Sequence, residues 1–387
     1  MRPNWVEVDL DIIEANVRAI RNHLDSHGQR NTGIVAVVKA DGYGHGAEMT
    51  ARSALRAGAD LLAVAFLEEG LALRESGLEA PILVLGWTPP DSVRKALDYG
   101  MTLTLASFEH GRAVARQARM LGASMPAHIK VDTGMSRLGF PADERGLGQA
   151  MDLVREDGLQ IVGAFTHFAV ADEDVVFTRE QVRRFRRFVL ELKKQGVDVL
   201  SHACNSAGIL DHVEAACDLV RPGLILYGVY PDRYNSSSVR VRPPLTWKTR
   251  VAQVKEVLPG EGVSYGREFM AGERSIIATL LTGYADGYPR GLSNRGEVLV
   301  GGRRCRIAGR VCMDQTMIHL PAEVREVEPG TEVTLLGRQA DEHIPVEELA
   351  GAMNTIPHEI FTGIAKRVPR VFVRDGRIVS TSDVLQF

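Results

Sequence analysis

Cysteine is scarce in this chain: four among 387 residues, at Cys204, Cys217, Cys305 and Cys312. No two of them form a C-x-x-C pair or a zinc-ligand spacing, so the chain carries neither a disulfide framework nor a zinc motif, and a reducing compartment suits it better. An excess of one charge is also missing. Lys plus Arg number 46 against 49 Asp plus Glu, a formal net charge of −3, which offers nothing to attract nucleic acid or an anionic membrane surface. No uninterrupted 18-residue apolar run occurs that could span a bilayer. The opening MRPNWVEVDLDIIEANV is broken by Glu7, Asp9, Asp11 and Glu14 and has no signal-peptide apolar core. These absences point to a soluble cytoplasmic protein with no nucleic-acid or membrane partner. The rest, 45% hydrophobic and 25% charged, is ordinary globular composition, in a chain long enough for one large domain and a smaller one.

The first 230 or so residues alternate short β-branched apolar runs with longer amphipathic stretches. The runs are 33–38, 60–66, 81–86, 101–106, 127–132, 161–168, 198–205 and 219–228. Each is apolar enough to be buried on both faces, as parallel strands are. Helical patterns such as 47–58, 91–100 and 180–196 separate them, several stopping at Gly. Eight strands with intervening helices predict a (β/α)8 TIM barrel rather than an open sheet, with a first helix over about 10–27 covering its bottom or side. The basic run RRFRR at 183–187 alternates with Val182, Phe185, Phe188 or Val189, and Leu192 at helical spacing; it reads as the solvated face of a helix, with an anion patch as the alternative.

At Pro231 the pattern changes. PDRYNSSSVRVRPP is a polar, proline-bounded linker. Beyond it, runs at 245–258, 274–284, 297–309, 315–321 and 331–337 resemble antiparallel strands. Short helices at 346–353 and near 359–366 follow, then a last strand pair at 370–380. The expected organisation is a barrel over 1–235 and a mainly-β domain over 236–387.

Candidate chemistry begins at VVKADGYGHG, residues 37–46, where Lys39 ends the first barrel strand. Barrel enzymes place their reactive groups at that end of the strands. A lysine partly desolvated there can form a Schiff base with a carbonyl; a snorkelling lysine on the rim is the bland alternative. The glycines Gly42, Gly44 and Gly46 have the wrong spacing for a dinucleotide fingerprint, yet they let the backbone approach a ligand closely, with Tyr43 as a phenol donor. HEIFT at 358–362 is not a zinc motif, because Thr362 stands where a second histidine is needed.

Read together, VVKADGYGHG, HIKVDTGMSRLGF, HACNSAG, RPGLILYG, VSYGREF, GYADGYPR and GRVCMDQ follow one another in this order along nearly the whole chain. In that arrangement the chain resembles the alanine racemases, pyridoxal-phosphate enzymes built from a barrel and a β domain. The resemblance implies that Lys39 holds pyridoxal 5'-phosphate through its amine. Tyr43, Ser206 and the backbone near Gly223 and Leu224 would bind the phosphate, with Asn205 and His202 on the same rim. Helix starts and glycine backbone in the loops after the last barrel strands suit an anion independently. A plain helix cap is the alternative reading of Ser206, compatible with phosphate binding.

The resemblance also sets Arg221 against the pyridine nitrogen, where a protonated donor weakens the ring as an electron sink. Inside LVRPGLILYG that charge must be paired to be tolerated. Lys39 and Tyr265 become the two catalytic bases, one for each face of the substrate Cα, with Lys39 serving the D-enantiomer. A phenol is a weak base at neutral pH unless a cation helps it, and His167, linked to Arg221, would supply that bias; alone, such a histidine reads as a satisfied structural residue. Arg137 in DTGMSRLG would clamp the substrate carboxylate with a bidentate fork, against the alternative of a surface arginine. Lys130 matches a lysine that many members carry as a carbamate. Tyr265, Met313 and Tyr284 would reach the site from the partner subunit, implying a homodimer with composite sites.

One departure stands out: many members have tyrosine where this chain has His358. Imidazole can still donate to phosphate, so cofactor binding should survive, but a differently shaped wall could admit serine beside alanine. The expected function is an isomerase interconverting L- and D-alanine for peptidoglycan. The alternatives are a serine or broader amino-acid racemase, a decarboxylase of the same architecture, and a cofactor carrier built from the barrel alone.

Overall fold

A computed structural model describes residues 2–231, 239–324 and 326–382. The middle of the expected linker, including Asn235 and the 235/236 boundary, lies outside the described residues. Eight short strands form a closed, all-parallel ring: Gly33–Val37, Leu61–Val64, Ile82–Val84, Met101–Leu105, Met125–Asp132, Leu159–Phe165, Leu200–His202 and Leu219–Val220. Met101–Leu105 pairs with Met125–Asp132 and Leu219–Val220 returns to Gly33–Val37, so the sheet has no free edge there. The expected (β/α)8 barrel is present. Its strands are short because their apolar runs continue into the C-terminal loops, as at 198–205, where three residues hold the ladder.

Helices follow the strands with the predicted amphipathic logic. Val175–Lys194 starts five residues before the expected 180, because Asp174 caps it by accepting from the Phe177 N–H at 2.9 Å. Its Phe185, Phe188, Val189 and Leu192 are buried. Arg183 and Arg184 pair with Glu180 and Arg186 reaches the Glu214 carbonyl, so the run is a solvated helix face. Asn16, on the first helix Leu10–Ser26, bonds the carbonyls of Leu226 and Arg242, and His23 bonds that of Ile209, which fixes this helix beside the end of the barrel chain.

The chain divides into two compact units: Ile13–Gly42 with Ala47–Arg242, and Met1–Ile12 with Tyr43–Gly46 and Pro243–Phe387. An uninterrupted barrel domain over 1–235 is therefore revised in two places. The strand Asn4–Asp9 pairs antiparallel with Leu245–Val257 and parallel with Arg370–Arg374, a position in the second unit that local pattern could not reveal. Four residues of the loop behind Lys39 also belong to that unit. Its longer strands otherwise occur where the alternating runs lie, while the short strands Gly262–Val263, Phe269–Met270 and Glu342–Ile344 fall outside them. The last hairpin turns at Asp375 and Gly376, both at positive φ, as a two-residue Asp-Gly loop requires. Among the described residues, no helix is long and apolar enough to cross a membrane.

Candidate active site

At the end of strand Gly33–Val37, Lys39 is half-buried. Burial lowers its pKa first, the nearby Arg137 guanidinium lowers it further, and Glu69 opposes both. The amine is thus biased toward its neutral, nucleophilic form. Behind it the backbone enters the left-handed region at Ala40, Asp41, Gly42, Tyr43 and Gly44, with φ of 52°, 54°, 60°, 52° and 78°.

Arg221 follows the eighth strand and is buried. Its Nη1 donates to His202 Nδ1 at 2.8 Å, and its Nη2 donates to the carbonyls of Thr166 at 2.7 Å and Ala203 at 2.9 Å, with His167 Nδ1 at 3.5 Å. The expectation that this charge is paired needs correction: among the described residues it forms no ion pair, and neutral acceptors alone surround it. Burial brings its pKa down to about 10, which leaves it charged at neutral pH.

Arginine only donates, so His202 Nδ1 must accept and its Nε2–H points onward to His128 Nδ1, 2.8 Å away. Burial and the Arg221 charge hold His128 down to about 4 and His202 well below the usual histidine value. Both are neutral rings of fixed tautomer, and His202 stacks on Phe165 with centroids 4.9 Å apart. His128 was not singled out in the sequence. Its signal is the alternation in HIKVD, which puts His128 and Lys130 on one face of a strand.

His167 is neutral as well. Burial comes first, then Arg221, Arg137, Lys130 and Lys39, and together they keep its pKa well below the usual value. It cannot be the cation that the sequence reading asked of it; of the charges acting on it, that of Arg221 weighs most. Gln181 holds the backbone there, donating to the His167 carbonyl at 3.2 Å and to Thr133 Oγ1 at 3.0 Å.

Lys130 is buried, donates to the Val131 carbonyl at 2.9 Å, and lies 5.5 Å from the Phe165 ring centre. Burial, then Arg221, bring its pKa down to about 7, with Asp132 opposing and Arg137 adding to the fall. Asp132 Oδ1 accepts from the N–H groups of Gly134, Met135 and Ser136, at 3.0, 3.1 and 3.0 Å, and so shapes the turn that carries the exposed Arg137.

Asn205 caps the helix Ser206–Asp211 by accepting from the Gly208 N–H at 2.9 Å. Ser206 is therefore not the cap. Its buried Oγ accepts from the Gly223 and Ile225 N–H groups at 3.1 and 3.4 Å. Leu224 begins the buried turn between those two amides. The first unit thus brings together Lys39, Lys130, Arg137, His167, Asn205, Ser206, Arg221, Gly223 and Leu224.

The remaining candidates lie in the second unit. Tyr43 is buried, which pushes its phenol up to about 12 and keeps it a proton donor. Its ring centre is 5.6 Å from that of His358, at the start of helix Pro357–Gly363. Tyr265, Tyr284 and Met313 are 70%, 42% and 53% exposed, far more than core aromatics and methionine usually are. One loop ties them together. Ser264 donates to the Arg310 carbonyl at 2.6 Å, and the N–H groups of Tyr284 and Ala285 donate to the Cys312 and Met313 carbonyls at 2.9 and 3.0 Å.

A closed parallel barrel with a desolvated lysine behind its first strand, an amide-and-hydroxyl cradle after its last, and a mainly-β second unit define a barrel-plus-β enzyme class. Residues 8–231 match the model of the alanine racemase N-terminal domain and residues 244–372 that of the C-terminal domain. An alanine racemase of Symbiobacterium thermophilum is 46% identical over 375 residues, 96% of this chain and 97% of that one. The alanine racemase of Clostridium difficile 630 superposes with a TM-score of 0.94 at 33% identity, covering all of both chains. A histidine racemase of Leuconostoc mesenteroides subsp. sake superposes with a TM-score of 0.88 at 30% identity, covering 96% of this chain and 98% of that one. The chain belongs to the alanine racemase family.

Proposed function

We propose that this protein is an amino-acid racemase that interconverts L- and D-alanine with pyridoxal 5'-phosphate held on Lys39. The D-alanine would serve peptidoglycan synthesis, in the cytoplasm. The observation that carries the reading is the buried Arg221, kept charged among neutral acceptors within the same unit as a lysine biased toward its free amine. The donor set also suits the cofactor. Ser206 Oγ accepts from two backbone amides, and its own hydroxyl proton has no acceptor among the described residues, which is what a phosphate oxygen would supply. Gly223 and Leu224 line that cradle, and by the family pattern Tyr43 and His358 would donate to the phosphate.

When bound, the cofactor withdraws electrons from Cα and so makes its proton removable. The chain's own residues do the rest. Arg221 would face the cofactor ring as a donor that keeps its own proton, and so would make the ring a weaker electron sink. Asn205 and Ser206 hold the rim, and Arg137 fixes the substrate carboxylate with two parallel N–H bonds. Lys39 Nζ moves the proton on the face that gives D-alanine, and the Tyr265 oxygen moves it on the opposite face. His167, a neutral ring with its Nδ1 3.5 Å from Arg221 Nη2, adds no charge of its own to that role. Lys130, half in its free-base form near pH 7, is suited to bind CO2 as a carbamate beside Arg137.

A homodimer with composite sites is supported by the exposed cluster of Tyr265, Tyr284 and Met313, which presents a phenol on the surface of the unit that carries it. A serine or broader-specificity racemase is the second reading, and the observation favouring it is His358 against Tyr43 in place of a second phenol. Purified protein given L- or D-alanine in D2O should exchange the α-hydrogen and yield both enantiomers. Serine, lysine and histidine complete the panel. Release of CO2 would indicate a decarboxylase, and absence of any exchange a cofactor carrier; either outcome overturns the proposal.

A further inference from the structure

The backbone behind Lys39 is costly. Ala40, Asp41 and Tyr43 are non-glycine residues in a left-handed turn that also contains Gly42 and Gly44. Each such residue costs about 1–2 kcal/mol, and left-handed residues normally occur singly. A run of them persists only where neighbouring groups over-determine the conformation. Two local bonds contribute: the Gly42 N–H donates to the Val38 carbonyl at 2.8 Å, and Asp41 Oδ1 accepts the Ala47 N–H at 2.9 Å. Neither acts on the first left-handed residue.

That contact comes from another strand end. Glu69 lies in the first turn of helix Leu67–Glu75, which follows strand Leu61–Val64. Its Oε1 accepts the Ala40 N–H at 2.7 Å, while its Oε2 accepts the N–H groups of Ala65 at 2.7 Å and Phe66 at 3.2 Å. One carboxylate therefore ties the ends of the first and second barrel strands. The Ala40 N–H belongs to the peptide plane that leaves Lys39, so fixing it fixes the Lys39 backbone and the direction of its Cα–Cβ bond.

We propose that Glu69 is the positioning residue for Lys39: it locks the left-handed turn through the Ala40 amide and aims the amine. Only a carboxylate fits, because a glutamine would offer one acceptor oxygen and turn an NH2 group toward N–H donors. The same charge counters the effect of burial and of Arg137 on Lys39, so Glu69 keeps the amine from becoming too weak a base for proton transfer. This deepens the reading of Lys39 as a catalytic lysine and rests on it, but its test does not need turnover.

The test uses cofactor-free protein. In Glu69→Gln, hydrogen exchange at the Ala40 amide should speed up at least about tenfold with the loss of one charge-assisted bond. Acylation of Lys39 near pH 8, read by mass spectrometry, should rise about threefold or more, because losing the Glu69 charge removes what opposes the lowering of its pKa. Glu68→Gln, on the exposed neighbour, should change neither. Adding Ala40→Gly, which removes the steric cost of the left-handed conformation, should restore stability lost in Glu69→Gln but not the Lys39 reactivity. If Glu69→Gln fails to fold, Glu69→Asp keeps the charge and shortens the reach, and should still release the Ala40 amide. Unchanged exchange and unchanged acylation in a folded Glu69 variant overturn the proposal, whether or not the protein racemises alanine.

Discussion

Arg221 shows what one buried side chain can decide. Among the described residues it meets no carboxylate, so a variant that reverses its charge should alter the outcome of the reaction as well as its speed. Arg221→Glu should slow racemisation and raise pyruvate formation per racemisation event by about tenfold or more, since a carboxylate there favours protonation of the ring and longer charge storage. Pyruvate measured alongside enantiomer ratio checks this, and an unchanged ratio would remove Arg221 from that role. His358→Tyr should raise the preference for alanine over serine by roughly tenfold, the usual yield of refitting a pocket wall to one small group. Competition of the two substrates reads it directly. Lys130 predicts a pH effect with a definite sign. Its folded pKa of about 7 lies below the value of 10.5 for a free lysine, so the unfolded chain binds more protons between these values. Stability of the cofactor-free protein should therefore rise with pH across that window and fall toward pH 7. Lys130→Met should flatten the slope in urea unfolding at several pH values. These residues were legible in unequal measure. Lys39 and Ser206 announce themselves as polar groups at the ends of apolar runs, and Arg221 as a charge inside one. The neutrality of His167 depends on burial and on two arginines and two lysines brought from other segments, and no local pattern encodes it.

Elements were read more securely where periodicity is strong. The eight barrel strands and the hairpin at Asp375–Gly376 occur where alternation and turn chemistry place them, because both signals are local. Ends were less clear: the helix Val175–Lys194 begins where Asp174 can accept an amide, not where its basic run begins. Asp174→Ala should therefore cost about 1 kcal/mol of stability, measured by urea unfolding, with the cofactor site untouched. In the sequence, the glycines behind Lys39 point only to a backbone that can approach a ligand closely. That backbone is a fixed left-handed turn. A Cβ on Gly44 would meet the Phe361 carbonyl at 2.2 Å, so Gly44→Ala should be more destabilising than the capping mutant.

Across the whole molecule, the exposed Tyr265 and the half-buried Lys39 are complementary halves of a proposed two-base site. Mixing inactive Lys39→Ala and Tyr265→Ala proteins under conditions of subunit exchange should restore part of the activity if the site is shared between subunits. A confirmed heterodimer with no activity would refute sharing. What local patterns miss at this scale is the strand Asn4–Asp9. It is made before the other described strands, yet it is seated between Leu245–Val257 and Arg370–Arg374. Val6 must therefore wait for Arg370 to be made before its ladder closes. The barrel, whose strands pair mostly in order of synthesis, can form meanwhile. A fragment starting at Pro243 would lack an inner strand and present two unsatisfied edges, so the second unit should be produced whole only when the first few residues of the chain are supplied with it.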